Sequence, residues 1–265
     1  MTCLSEASAL NKFLESFFSM TDTIIPIAVR VIEGKAFYAE GKNGLSEALQ
    51  ACQDANCEAL FMPELALARI NADKDSFLWK NYFSTPSLKA TGRTRAGNAV
   101  VVYAHIPNYF SDPTNIRDAV KGDKLVNGAG IISQEDFYSL LKQEGNGRVF
   151  GVGDSALKDA SSGIITIEDA LKHPQTIPFL GGKEIAEKYL EKYQKIYGDR
   201  IGVWHTDDLQ ETPIGRLLFV ANNNYGLYGS YYLDSDGCFV GVAQKAQTTE
   251  ENSLEKRLQT LYSKK

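Results

Sequence analysis

Four predicted strands run into residues that can carry acid–base or metal chemistry. EALFMP meets Glu64, AVVVYA meets His105, VFGVG meets Asp154 and Ser155, and IGVW meets His205, Asp207 and Asp208. Imidazoles and carboxylates gathered in one crevice can hold a divalent metal or activate water as general acid and base. In HTDD, His205 and Asp207 stand two apart, so an extended segment points both the same way. That pair is the expected metal couple. The expected catalytic set is His105, His205, Asp207, Asp208 and Glu64. Each also has a structural use. A histidine after an apolar strand can simply be hydrogen-bonded, and Glu64 can complement a helix dipole. Asp208 can cap the element that follows it, and Asp154 suits a turn after Gly153.

A second group is basic. TGRTRAG concentrates Arg93 and Arg95 between small residues, with Lys89 close by. Guanidinium groups bind carboxylate or phosphate bidentately. FLGGKE places Gly181-Gly182 ahead of a helix start, where free N–H groups and Lys183 could hold an anion. Arg93, Arg95 and Lys183 are therefore the expected anion-binding residues, with plain turns as the other reading. GVGDSA lacks the third glycine of a dinucleotide fingerprint, and no GxxxxGK[ST] occurs. NNNYGLYGSYYLD spaces its tyrosines as a ligand-stacking surface or a half-exposed strand would. His173 reads as a helix-end residue.

These residues need elements to position them. Residues 4–19 repeat Leu10, Leu14, Phe17 and Phe18 at helical spacing. A strand over 23–32, a helix bearing Leu45, Ala48, Leu49 and Cys52, and a strand over 58–62 form a βαβ pattern, which implies parallel pairing. Residues 98–105 and 148–152 read as buried strands. Ser133 and Thr166 cap helices, Lys183 to Tyr197 is amphipathic, and Ile201 to Trp204 follows as an inner strand. From Arg216, LLFVA, YGSYYLD and CFVGVA suggest an antiparallel meander with an Asp236-Gly237 turn, before a helix over 250–262. The expected fold class is α/β. It has one domain, with a mostly parallel sheet flanked by helices over roughly 1–208 and an antiparallel β addition over 209–265.

The order of elements over residues 24–70, ending in Pro63-Glu64, is similar to the opening of a nitrilase-superfamily domain. That family needs a cysteine nucleophile. The only later cysteine is Cys238, inside the meander, so no catalytic role carries across.

Composition narrows the function classes. The 265 residues are 43% hydrophobic with a formal charge of −5, which excludes a general nucleic-acid binder. No run reaches the ~18 to 20 apolar residues of a membrane span. Glu6 and Glu15 interrupt the apolar start, so no secretory leader is read. Cys3, Cys52, Cys57 and Cys238 fit no zinc pattern, and reduced thiols suit a cytoplasmic protein. The expectation is a hydrolase-type enzyme with a divalent metal and a small anionic substrate. The alternative is a non-catalytic ligand-sensing or assembly module that uses the Tyr-rich meander. The oligomeric state is not legible.

Overall fold

A computed structural model describes residues 23–27, 30–122, 124–157, 162–205, 211–223 and 225–243. The expected helices over 4–19 and 250–262 lie outside these residues, as do Asp207 and Asp208. The strands are β1 (Thr23–Ile27), β2 (Arg30–Ala39), β3 (Cys57–Ala59), β4 (Phe83–Arg93), β5 (Ala99–Ala104), β6 (Leu125–Val126) and β7 (Ala129–Ile131). They continue as β8 (Val149–Gly153), β9 (Gly163–Thr166), β10 (Arg200–Trp204), β11 (Ile214–Val220), β12 (Leu227–Tyr228) and β13 (Gly237–Ala243).

The strands form two sheets. The smaller has the order β1-β2-β13-β3, and the larger runs β8-β5-β4-β11-β12-β10-β9, with β7 also beside β11 and β6 beside β7. Among the described residues, β10 with β12 is the parallel pair, and every other pairing is antiparallel. The expected mostly parallel sheet flanked by helices is therefore corrected to a mostly antiparallel one. The reason lies in β5. Its apolar run reads like an inner parallel strand because both of its faces are buried. Val101 and Tyr103 enter one core cluster, and Val100, Val102 and Ala104 enter the other. Here double burial comes from the helices that cover each face, whatever the strand direction.

The expected βαβ unit changes in the same way. β2 and β3 do run in the same sense, with the helix Gly44–Asp54 between them in sequence. However, β13 lies between them in the sheet, antiparallel to both. The C-terminal meander is also corrected: β11 and β12 pair, but β13 joins the smaller sheet. Two residues of β12 are all that the Tyr-rich stretch contributes to the ladder.

Local signals set the helices. Ser133 accepts a bond from the backbone of Asp136 at 3.0 Å and starts Gln134–Leu141. Thr166 does the same for Asp169 at 3.1 Å ahead of Ile167–Lys172. The long helix Lys183–Tyr197 buries Ala186, Tyr189, Leu190 and Tyr193 on one stripe. Tyr189 and Tyr193 pack on the buried Trp79 with ring centroids at 5.5 and 6.4 Å. Beside them lies Arg69, which is completely buried. Its guanidinium donates to Tyr189 Oη, Ala221 O and Asn81 O at 2.9, 3.0 and 2.8 Å, and stacks over Trp79 at 5.2 Å.

Candidate functional site

His105 follows β5 and is fully buried. Its Nε2 lies 2.8 Å from Pro178 O, a pure acceptor, so this nitrogen carries the proton. Nδ1 is then an acceptor and takes the Ser87 hydroxyl at 2.9 Å, while Ser87 accepts the Met62 N–H at 2.8 Å. Burial holds the imidazole down to about 4, with Arg148 acting in the same direction and the Pro178 bond opposing. The ring is neutral at pH 7 and both nitrogens are occupied. It fastens β4 and β5 to the short helix Thr176–Leu180.

Glu64 opens the helix Met62–Asn71 and pairs with Arg148 at 2.5 Å. Arg148 also donates to His105 O at 3.0 Å, and its guanidinium lies 5.8 Å from the Phe61 ring. Glu64 and His105 are thus brought together through Arg148, and the carboxylate's counter-ion is a guanidinium.

His205 sits just after β10. Tyr103 donates its hydroxyl to Gln175 Oε1 at 2.6 Å and accepts from His205 Nδ1 at 3.2 Å. His205 Nε2 is buried and has no hydrogen-bond partner among the described residues. The ring stacks on His173, with centroids at 5.3 Å and planes 28° apart. Burial first, then Lys89 and His173, hold His205 well below the ordinary histidine range. The two imidazoles lie against successive residues of one short helix: His105 bonds Pro178 O, and His205 abuts the Phe179 ring at 6.2 Å.

The antiparallel sheet separates one of the four strand ends, that of β8, from the others. Following the pairings, β5 runs opposite to both β8 and β10. The end of β8, where half-buried Asp154 and exposed Ser155 begin a short helix, lies beside the start of β5.

The basic residues are dispersed as well. Residues 94–98 form the β4–β5 hairpin turn. There Arg93 donates to Gly97 O at 3.0 Å and lies 3.5 Å from Glu211. Arg95 stacks 5.1 Å from the Tyr138 ring. Arg93 is six positions along β4 from Ser87, and hence about 20 Å from the His105 bracket at strand rise. Lys183 is exposed, with Glu187 at 3.8 Å. Gly181 has a packing role: a Cβ there would stand 2.2 Å from the Pro63 ring, and its φ is +86°.

Sequence reasoning missed a polar stripe across the larger sheet. Tyr103, Lys89 and Arg216 are direct cross-strand neighbours on β5, β4 and β11, and all three are buried. Polar residues inside apolar strands were the available signal. His173, set aside as a helix end, is part of the same neighbourhood through His205.

Above this stripe runs the Tyr-rich stretch. Tyr225 and Tyr232 are 52% and 53% exposed. Tyr228 stacks on Trp204, and Tyr231 stacks on Phe219. Backbone ties fix the stretch: Trp204 Nε1 donates to Tyr225 O at 2.7 Å, Tyr193 to Asn223 O at 2.6 Å, and Tyr231 to Asp236 O at 3.1 Å. The Leu233 N–H reaches Gly128 O at 2.8 Å. Arg216 supports Tyr232 from below at 5.5 Å. Two large rings are therefore presented to solvent on a backbone held at several points.

No family model and no curated protein matches the sequence. A solved structure described as "Accommodation of massive sequence variation in Nanoarchaeota by the C-type lectin fold" is similar to this chain at 48% identity and a TM-score of 0.73, over 80% of this chain and 98% of that one. The likeness overturns the hydrolase-type reading along with the parallel α/β fold. Among the described residues no three His, Cys, Asp or Glu side chains are grouped to hold an ion, and of the expected metal couple only His205 lies among them. Also among the described residues, no helix is long and apolar enough to cross a membrane. The chain belongs to the C-type lectin-fold family that this structure represents.

Proposed function

We propose that the protein is a non-catalytic ligand-binding module whose contact surface is the Tyr-rich stretch between β11 and β13. The observation that carries this reading is the pair of half-exposed rings, Tyr225 and Tyr232, on a backbone pinned to the core. Tyrosine offers large contact area at low conformational cost, with a hydroxyl for orientation. Pinning lowers the ordering cost of binding. The description of the similar structure, a fold that accommodates massive sequence variation, supports a division between a constant core and a changeable surface. Of the residues expected in an active site, His105 is engaged in two hydrogen bonds and Glu64 with Arg148. A small anionic ligand at Arg93, Arg95 and Lys183 has less support, since these residues are dispersed and each has a protein neighbour.

The reading is tested by screening the wild-type protein and the Tyr225→Ala/Tyr232→Ala variant against a glycan array and an array of immobilised proteins. Hits lost in the variant while its melting temperature stays unchanged support the surface. Hits that bind both proteins alike refute it.

A further inference from the structure

Cys52 lies in the last turns of the helix Gly44–Asp54, and Cys57 opens β3. Between them the chain reverses through Asn56, whose φ of +55° is left-handed. The two side chains converge on Gly241 of β13. A Cβ on that glycine would stand 2.5 Å from the Cys52 sulfur and 3.0 Å from the Cys57 Cβ. The Cys52 thiol already points toward its neighbour, 3.6 Å from Cys57 O. Cys238 faces away: it enters one core cluster, whereas Cys52 and Cys57 enter the other.

From this juxtaposition we infer that Cys52 and Cys57 are a redox-modifiable pair, which a low-molecular-weight disulfide such as oxidised glutathione converts to an intrachain disulfide. Cys57 reacts first, because it is 8% exposed and Cys52 is completely buried. Its thiol loses a proton, and the sulfur attacks one sulfur of the oxidant. The oxidant's S–S bond breaks, and one glutathione thiolate leaves and takes up a proton. The Cys52 sulfur, after losing its own proton, then attacks the Cys57 sulfur and expels the second glutathione thiol. Two protein thiols are oxidised by two electrons, and one oxidant is reduced to two thiols. Burial pushes the Cys52 thiol up to about 12, with Cys57 and Glu58 acting in the same direction. The second step is therefore the slow one, and it depends on the approach of the Cys52 sulfur to Cys57 beside Gly241 rather than on intrinsic thiolate. The product staples a three-residue edge strand to the helix beside it and closes a short loop of chain.

The test uses the folded wild-type protein equilibrated across ratios of oxidised to reduced glutathione. The samples are quenched in acid, unfolded, alkylated and mapped by mass spectrometry. Cys52 and Cys57 are expected to lose alkylation together, with the loss of two hydrogens in the peptide that holds both. The Cys52→Ala variant is expected to stop at a glutathione adduct on Cys57. The inference is overturned if both thiols stay alkylatable at every ratio in the folded wild type, or if either one links to Cys3 or Cys238. The wild-type map alone decides the matter should the variant not fold.

Discussion

Tyr231 lies flat on Phe219, with ring centroids 4.3 Å apart and planes within 10°. Phe219 belongs to β11, every residue of which is buried. The stack therefore couples the Tyr-rich stretch to the centre of the larger sheet. Tyr231→Ala is expected to cost about 2 kcal/mol, from lost burial and the lost ring pair. Tyr231→Phe keeps the stack and gives up only the bond to Asp236 O, at about 0.5 to 1.5 kcal/mol. Urea unfolding of the two variants against wild type measures both. Equal losses would mean that the hydroxyl, and not the stack, is the anchor.

Acid should destabilise the protein through His105. Its folded value, about 4, lies below the ordinary 6.5, so the unfolded chain binds the extra proton first. Stability is then complete above about pH 6.5 and falls as the pH drops toward 4, by about 3 kcal/mol for this group. His205 shifts in the same direction and steepens the loss. His105→Gln should be weaker at pH 7 and should show a flatter fall between pH 6.5 and 4. Unfolding curves at several pH values would show it. A variant with the wild-type slope contradicts the assignment.

Arg69 gives a third expectation. Among its described contacts are two backbone carbonyls, a tyrosine hydroxyl and aromatic faces, with no carboxylate. Arg69→Ala would empty that site and leave Asn81 O, Ala221 O and the Tyr189 hydroxyl without their donor. A loss of about 3 to 5 kcal/mol is expected, by the magnitude found for broken buried charged networks. A loss below about 1 kcal/mol in chemical denaturation would show that water replaces the guanidinium freely.

The sequence carried what is decided locally. Ser133, Thr166 and the stripe of Tyr189 and Tyr193 mark their helices because caps and periodicity act within a few residues. The tyrosines of the segment before β13 stand out in the sequence in the same local way. Strand direction was not legible. AVVVYA has the same apolar pattern whether its neighbours run with it or against it, and the expected place of Asp154 and Ser155 beside His105 rested on the parallel choice. The stripe of Tyr103, Lys89 and Arg216 depends on the register between three strands, one of which, β11, lies far along the chain from the other two. The stack of His173 on His205 likewise joins residues far apart in the chain. No spacing rule reaches across such gaps.

On the proposed function, ligand contact is made by Tyr225 and Tyr232, away from the β4–β5 hairpin. The most direct measurement compares the affinity of an array-identified ligand for three proteins by titration calorimetry: wild type, Tyr225→Ala/Tyr232→Ala, and Arg93→Ala/Arg95→Ala. Losing a contact ring at a binding centre costs about 2 kcal/mol or more, so the tyrosine variant should bind at least about thirtyfold more weakly, with the arginine variant equal to wild type. The opposite pattern, with full affinity in the tyrosine variant and loss in the arginine variant, would contradict the claim and place the contact at the hairpin.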